Sequence, residues 1–145
     1  MSNLTDIKQA HGYLRELLNQ EIRKRGSNAA TLQRYLGWLD TAFYLLAWGN
    51  FEHLTKKQAE AVIAEEEGTR GRARLAWAFV RKRMRDLSLS AQIELVFHGR
   101  DKVIEGLKAQ YLVRNESAHA YKKLPAEMRR LPDMIDEWEG YVERF

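Results

Sequence analysis

The chain has 145 residues and no cysteine. Thiol nucleophiles, Cys-ligated zinc and iron–sulfur clusters are therefore excluded, and the composition fits a reducing compartment. Proline is almost missing too. Pro125 and Pro132 are the only two, so everything before them is free of the residue that breaks helices most strongly. No apolar run approaches the ~20 residues that span a bilayer. The most apolar region, DTAFYLLAWGNF from Asp40 to Phe51, is short and interrupted. The start, MSNLTDIKQAHGYL, lacks the basic end and apolar stretch of a signal peptide. A soluble, cytoplasmic protein with no membrane partner is expected. There is no strand-like alternation, no repeat, no HExxH, no P-loop and no clustered set of metal ligands, so neither a metal nor a nucleotide cofactor is expected. GTRGR, Gly68 to Arg72, lacks the Gly-Lys-Ser/Thr ending that would make it a phosphate loop.

What remains is a helical pattern. The length fits one domain, residues 1–145, and a globular chain of this size buries roughly 70% of its unfolded surface without staples. Leu4, Ile7, Leu14, Leu18 and Ile22 predict a first helix from about Leu4 to Arg25, ended by Gly26 and Ser27. Leu32, Leu36, Leu39, Phe43 and Leu46 recur at 4, 3, 4, 3 and predict a second, long helix from Ala29 into the fifties. Gly49 and Asn50 predict a break or kink there, with TKKQAEAVIAEEE from Thr55 as a further helical segment. A basic helix running to Leu87 would bury Ala73, Trp77, Val80, Met84 and Leu87. A short helix follows from Ser90 to Phe97, then one beginning at Asp101 and a last one from Pro132 to Arg144. The sum is an all-α, antiparallel bundle of about five or six helices, with the four tryptophans used for packing. His11, His53 and His98 are scattered and read as structural or surface residues.

Net charge is +4, and its distribution is uneven. TRGRARLAWAFVRKRMR, Thr69 to Arg85, carries Arg70, Arg72, Arg74, Arg81, Arg83 and Arg85 with Lys82 and no acid. One reading is a solvated helix face. The other is contact with an RNA backbone, whose affinity would fall with salt as counterions are released. An acidic partner protein would fit the same stretch, and a DNA-binding regulator is a further alternative.

LVRNESAHAYKK, Leu112 to Lys123, sets an arginine, a histidine and a tyrosine within eight positions. Asn115 and His119 are four apart and share a helix face. Arg114 and His119 are five apart, about 140° around an ideal helix, so a straight helix does not bring guanidinium and imidazole to one point. A kink or helix end, a curled arginine, or a second copy of the chain would each solve this. Metal-free RNA cleavage needs a base for the 2′-hydroxyl, an acid for the departing 5′-oxygen and cationic donors for the phosphorane. Histidine suits both proton roles, and a two-fold dimer would supply two histidines and two arginines to one groove.

RNESAHAY resembles the R-x4-H signature of the HEPN superfamily, in the form with Asn directly after Arg. The added tyrosine, R-x4-H-x-Y, is similar to the variant in HEPN toxins paired with a nucleotidyltransferase-fold antitoxin. The likeness covers these eight residues and the general helical layout. It implies a dimerising helical bundle acting as a metal-independent endoribonuclease, a toxin or phage-defence effector, that leaves a 2′,3′-cyclic phosphate. Carried over, Arg114 stabilises the scissile phosphate and His119 transfers protons. Asn115 orients the site or bonds a phosphate oxygen, and Tyr121 is either a site-lining hydroxyl or the residue an antitoxin modifies. Some HEPN domains bind partners, nucleotides or RNA without cutting, and that non-catalytic role stands as the alternative.

Overall fold

The computed structural model describes residues 3–24 and 28–145. Among them are six α-helices and no strand: α1 (Asn3–Arg23), α2 (Ala29–Glu67), α3 (Arg72–Lys82), α4 (Leu89–Val96), α5 (Asp101–His119) and α6 (Leu131–Val142), with a 3₁₀ turn at Met84–Asp86. The protein is all-α. It forms two compact units, Met1–Phe51 with Tyr111–Phe145, and Glu52–Gln110. The end expected for α1 at Gly26 and Ser27 lies outside the described residues.

In the first unit, α2 is the centre. Tyr44, Ala47, Trp48 and Phe51 are buried on it, and Trp138 of α6 inserts among their rings. Its centroid lies 5.3 Å from that of Trp48, edge-on, 5.7 Å from Tyr44 and 5.8 Å from Phe51. Tyr111 of α5 stacks on Trp48 at 6.3 Å. Such offset and edge-to-face pairs add to the burial energy. Trp48 and Trp138 are thus core residues, as the composition predicts, whereas Trp38 stays half exposed beneath the Lys123 ammonium, 5.2 Å from its ring. α1 and α6 pair antiparallel, since Thr5 bonds Glu139 and Lys8 bonds Asp136.

Two expectations are corrected here. Gly49 and Asn50 do not break α2, which is continuous for 39 residues. An interior glycine costs about 1 kcal/mol relative to alanine, but Trp48 and Phe51 are anchored on either side of it, and that packing outweighs the propensity. The inner stripes also differ. Leu14 and Leu46 are exposed, and α1 buries Leu4, Ile7 and His11 instead.

His11 takes a core position because it has a partner. Its Nε2 lies 2.7 Å from Asp40 Oδ1, and Arg15 donates to both carboxylate oxygens of Asp40, at 2.7 and 2.5 Å. Burial alone would raise the Asp40 pKa, but hydrogen bonds from His11 and Arg15, with the Arg15 charge, hold it below the ordinary 3.8. Asp40→Ala would leave a buried imidazole unpaired, so a loss of about 1–3 kcal/mol is expected in urea unfolding. The sign of the pH effect follows from the depressed value. Asp40's stabilisation is complete above 3.8 and is lost as pH falls through the lower folded pKa. The acid limb of the stability profile should therefore be steeper in the wild type than in the variant.

In the second unit the basic helix is shorter than expected. It ends at Lys82, and i→i+3 bonds from Arg83, Asp86 and Leu87 tighten the chain into the 3₁₀ turn. Ser88 then caps α4, accepting from the Ala91 amide at 3.1 Å. Gly99, at φ 79°, takes the left-handed conformation that reverses the chain between α4 and α5.

Candidate functional site

The RNESAHAY segment occupies the last turns of α5 and the first residues beyond it. The helix is continuous from Asp101 to His119, so no helix end separates Arg114 from His119. Burial places them on different flanks. Arg114 and Asn115 are half-buried, whereas Glu105, Ala109, Leu112, Glu116 and His119 are all exposed along one stripe. Arg114 Nη1 donates to Asn115 Oδ1 at 3.0 Å. Its charge is also felt by Tyr44. Burial pushes that phenol far above the ordinary tyrosine pKa, and the nearby guanidinium pulls it partly back. Arg114 is therefore held by Asn115, near enough to Tyr44 for its charge to act there.

His119 is the last residue of α5. Glu116 and Lys122 sit near it as an exposed ion pair at 3.9 Å, a geometry that contributes little to stability. Tyr121 follows with a φ of 53° and is 82% exposed. A left-handed φ is uncommon for a bulky residue and costs on the order of 1–2 kcal/mol. Contacts just downstream hold the turn. The Leu124 amide donates to Thr41 Oγ1 at 3.2 Å, and Lys123 lies across Gly37 of α2, where a Cβ would stand 3.2 Å from its Cδ. Thus the structure brings Arg114 and Asn115 together, and it presents His119 and Tyr121 to solvent at the helix end.

The second candidate surface is α3 with its flanks. Arg70, Arg72, Arg74, Arg81, Arg83 and Arg85 are all exposed. Arg81 is engaged with Glu67 at 2.7 Å. The helix fully buries no residue. Trp77 and Val80 reach only partial burial and Ala73 none. On another side, Leu75 is 73% and Phe79 60% exposed, and the Arg83 guanidinium lies 5.2 Å above the Phe79 ring. Arg72, Leu75 and Phe79 are spaced 3 and 4 apart and share one face. Sequence reasoning followed the Trp77 stripe and passed over this second apolar pair among arginines.

Among the described residues no group of three or more His, Asp or Glu side chains is placed to hold a metal ion, and no helix is long and apolar enough to cross a membrane. No protein-family model, curated protein or solved structure matches the chain.

Proposed function

We propose that the chain is a metal-independent endoribonuclease of the HEPN type, acting as a cytoplasmic dimer in a toxin or phage-defence role. The observation that carries this reading is the exposure of His119 at the end of α5, with Arg114 held by Asn115 on another flank of the same helix. The unbroken helix leaves the two side chains on separate flanks, so convergence falls to a second copy. Leu112, 65% exposed, shares the His119 face. An isologous contact covering that face would carry both His119 residues to one groove.

In that groove one His119 takes the proton of the 2′-hydroxyl. The 2′-oxygen attacks phosphorus, the bond to the 5′-oxygen breaks, and the partner's His119 protonates the leaving oxygen. Arg114 from each copy stabilises the phosphorane. The products are a 2′,3′-cyclic phosphate and a 5′-hydroxyl. Tyr121 is the residue a nucleotidyltransferase-fold antitoxin would modify. Incubating purified protein with RNA in EDTA and analysing the ends tests this. Cyclic phosphates are expected, and intact RNA, or cleavage that requires added metal, would overturn it.

The α3 surface is the RNA-binding face in this reading. Its free arginines contact phosphates, and Phe79, with Arg83 above it, offers a stacking platform. Arg72→Gln and Arg74→Gln are each expected to lower the slope of log affinity against log salt by about 1, while Arg81→Gln, already committed to Glu67, changes it less. Phe79→Ala should weaken single-strand binding by about 1–3 kcal/mol. Fluorescence anisotropy across a salt series reads both.

The same separation of Arg114 from His119 also favours a second reading. A chain that never forms the composite groove would be a non-catalytic HEPN-type module that binds RNA, a nucleotide or a partner protein. RNA binding without cleavage, unaffected by His119→Ala, would favour it.

A further inference from the structure

Helix α2 is apolar on two sides at once. Its inner side buries Tyr44, Ala47, Trp48 and Phe51 in the core. Its outer side carries Tyr35, Leu39, Ala42, Leu46 and Gly49, spaced 4, 3, 4, 3, with no charge on the stripe. Tyr35 is 53% and Leu46 56% exposed, Ala42 and Gly49 are exposed, and Leu39 is half-buried. The one charged residue from Tyr35 to Gly49 is Asp40, and it is taken up by His11 and Arg15 of α1. A helix that is apolar all round is normally covered on every side, and a contiguous exposed apolar stripe marks an interaction surface. We propose that this stripe packs antiparallel against the same stripe of a second copy, about a two-fold axis at Ala42. This names a contact that holds the dimer of the reading above, and it rests on that reading only for its link to catalysis.

The stripe is complementary to itself. Antiparallel pairing about Ala42 sets alanine against alanine, which lets the two helices approach closely. It sets Leu39 against the partner's Leu46 and Tyr35 against the partner's Gly49. The large ring thus meets the one position without a side chain, and a Cβ at Gly49 would find nothing within 4 Å in its own chain. The alternation of 4 and 3 is the heptad spacing that keeps such a seam facing its partner. Thr31 and His53 bound the stripe at equal distances from Ala42 along the sequence.

Charge follows the same axis. Arg34 is exposed and bonds only the Thr31 hydroxyl among the described residues. Glu52 lies about five full turns further along the same continuous helix, so the two residues share one flank of it. The two-fold brings each Arg34 beside the partner's Glu52, which makes the flanks complementary in charge as well as in size. Area points the same way. A stable contact takes roughly 800 Å² from each copy. Leu112 alone cannot supply that, whereas the α2 stripe covers about 21 Å of helix, and α1 beside it leaves Tyr13, Leu14 and Leu17 exposed. The end of α5 borders the stripe, because Lys123 lies over Trp38 at its edge.

Sedimentation of the whole chain reads this contact without RNA. At micromolar concentration a particle of twice 17.0 kDa is expected. Gly49→Leu fits the single chain and is the better helix former, yet its side chain takes the space of the partner's Tyr35. Self-association should therefore weaken at least about tenfold, while the helical circular dichroism signal holds. Adding Tyr35→Ala to Gly49→Leu should restore the dimer, since the large and small positions have been exchanged. The chain has no cysteine, so Ala42→Cys places the only thiol on the axis, and oxidation should cross-link the two copies. A dimer that cuts no RNA would leave this contact standing while the ribonuclease reading falls. A monomeric wild type would overturn the second copy as the occupant and leave the stripe to a different protein. A dimer unmoved by Gly49→Leu, a dimer dissolved by Leu112→Arg alone, or Ala42→Cys chains that do not cross-link would each overturn the α2 contact.

Discussion

In the ribonuclease proposed above, alanine at His119 is expected to lower metal-free RNA cleavage by about 10²- to 10⁴-fold, the usual contribution of a positioned acid or base. The side chain is exposed at the last position of α5, so the unfolding midpoint should not move. Arg114 differs. It is half-buried, bonded to Asn115 and close enough to Tyr44 to affect its ionisation, so Arg114→Ala should lose activity and stability together. Mixing wild type with His119→Ala probes the proposed shared groove. A heterodimer keeps only one of the two imidazoles, so cleavage should fall with the square of the wild-type fraction. A fall linear in that fraction would mean that each chain works alone, and no fall would point to a contaminant. End-labelled RNA resolved on a gel reads every arm.

The largest stability effect should come from Trp138. Its ring is fully buried and meets Tyr44, Trp48 and Phe51 within 6 Å between centroids. Truncation to alanine removes the indole and leaves a cavity among three rigid aromatic groups that cannot close over it. A loss of about 3–5 kcal/mol is expected in denaturant unfolding. Trp38→Ala provides the contrast. That ring is half exposed, and its removal gives up mainly the Lys123 cation–π contact, worth about 0.5–1 kcal/mol. Equal losses in the two variants would contradict the assignment of the core.

Helix number and order could be read from periodicity because apolar spacing dominates in a chain with so few breakers. The faces were harder. On α1 the stripe Leu4, Ile7, His11 is regular, but a histidine does not register as apolar, and apolarity alone leads on to Leu14. The partner that makes His11 buriable, Asp40, is 29 positions away, and no local pattern reveals it. A titratable residue falling on an apolar stripe was the available signal. The Gly49 break failed for a related reason, since propensity is local while the burial of Trp48 and Phe51 is not. The arginines of α3 were legible as a charge run. The outward Leu75 and Phe79 were not, because two apolar stripes on one short helix cannot be ranked without knowing what each faces. In RNESAHAY, residue spacing established the angular separation of Arg114 and His119. The left-handed backbone at Tyr121 had no signal, because tyrosine is not a residue that turns select.

That turn has a consequence for control. A phosphate ester formed on the Tyr121 oxygen would displace no packed atom, since the ring already stands clear of the fold. It would set a fixed negative group two residues from His119, where it would repel an incoming strand and compete for the imidazole. Silencing by such a group would need no rearrangement of the helices, and removing it would return the chain unaltered.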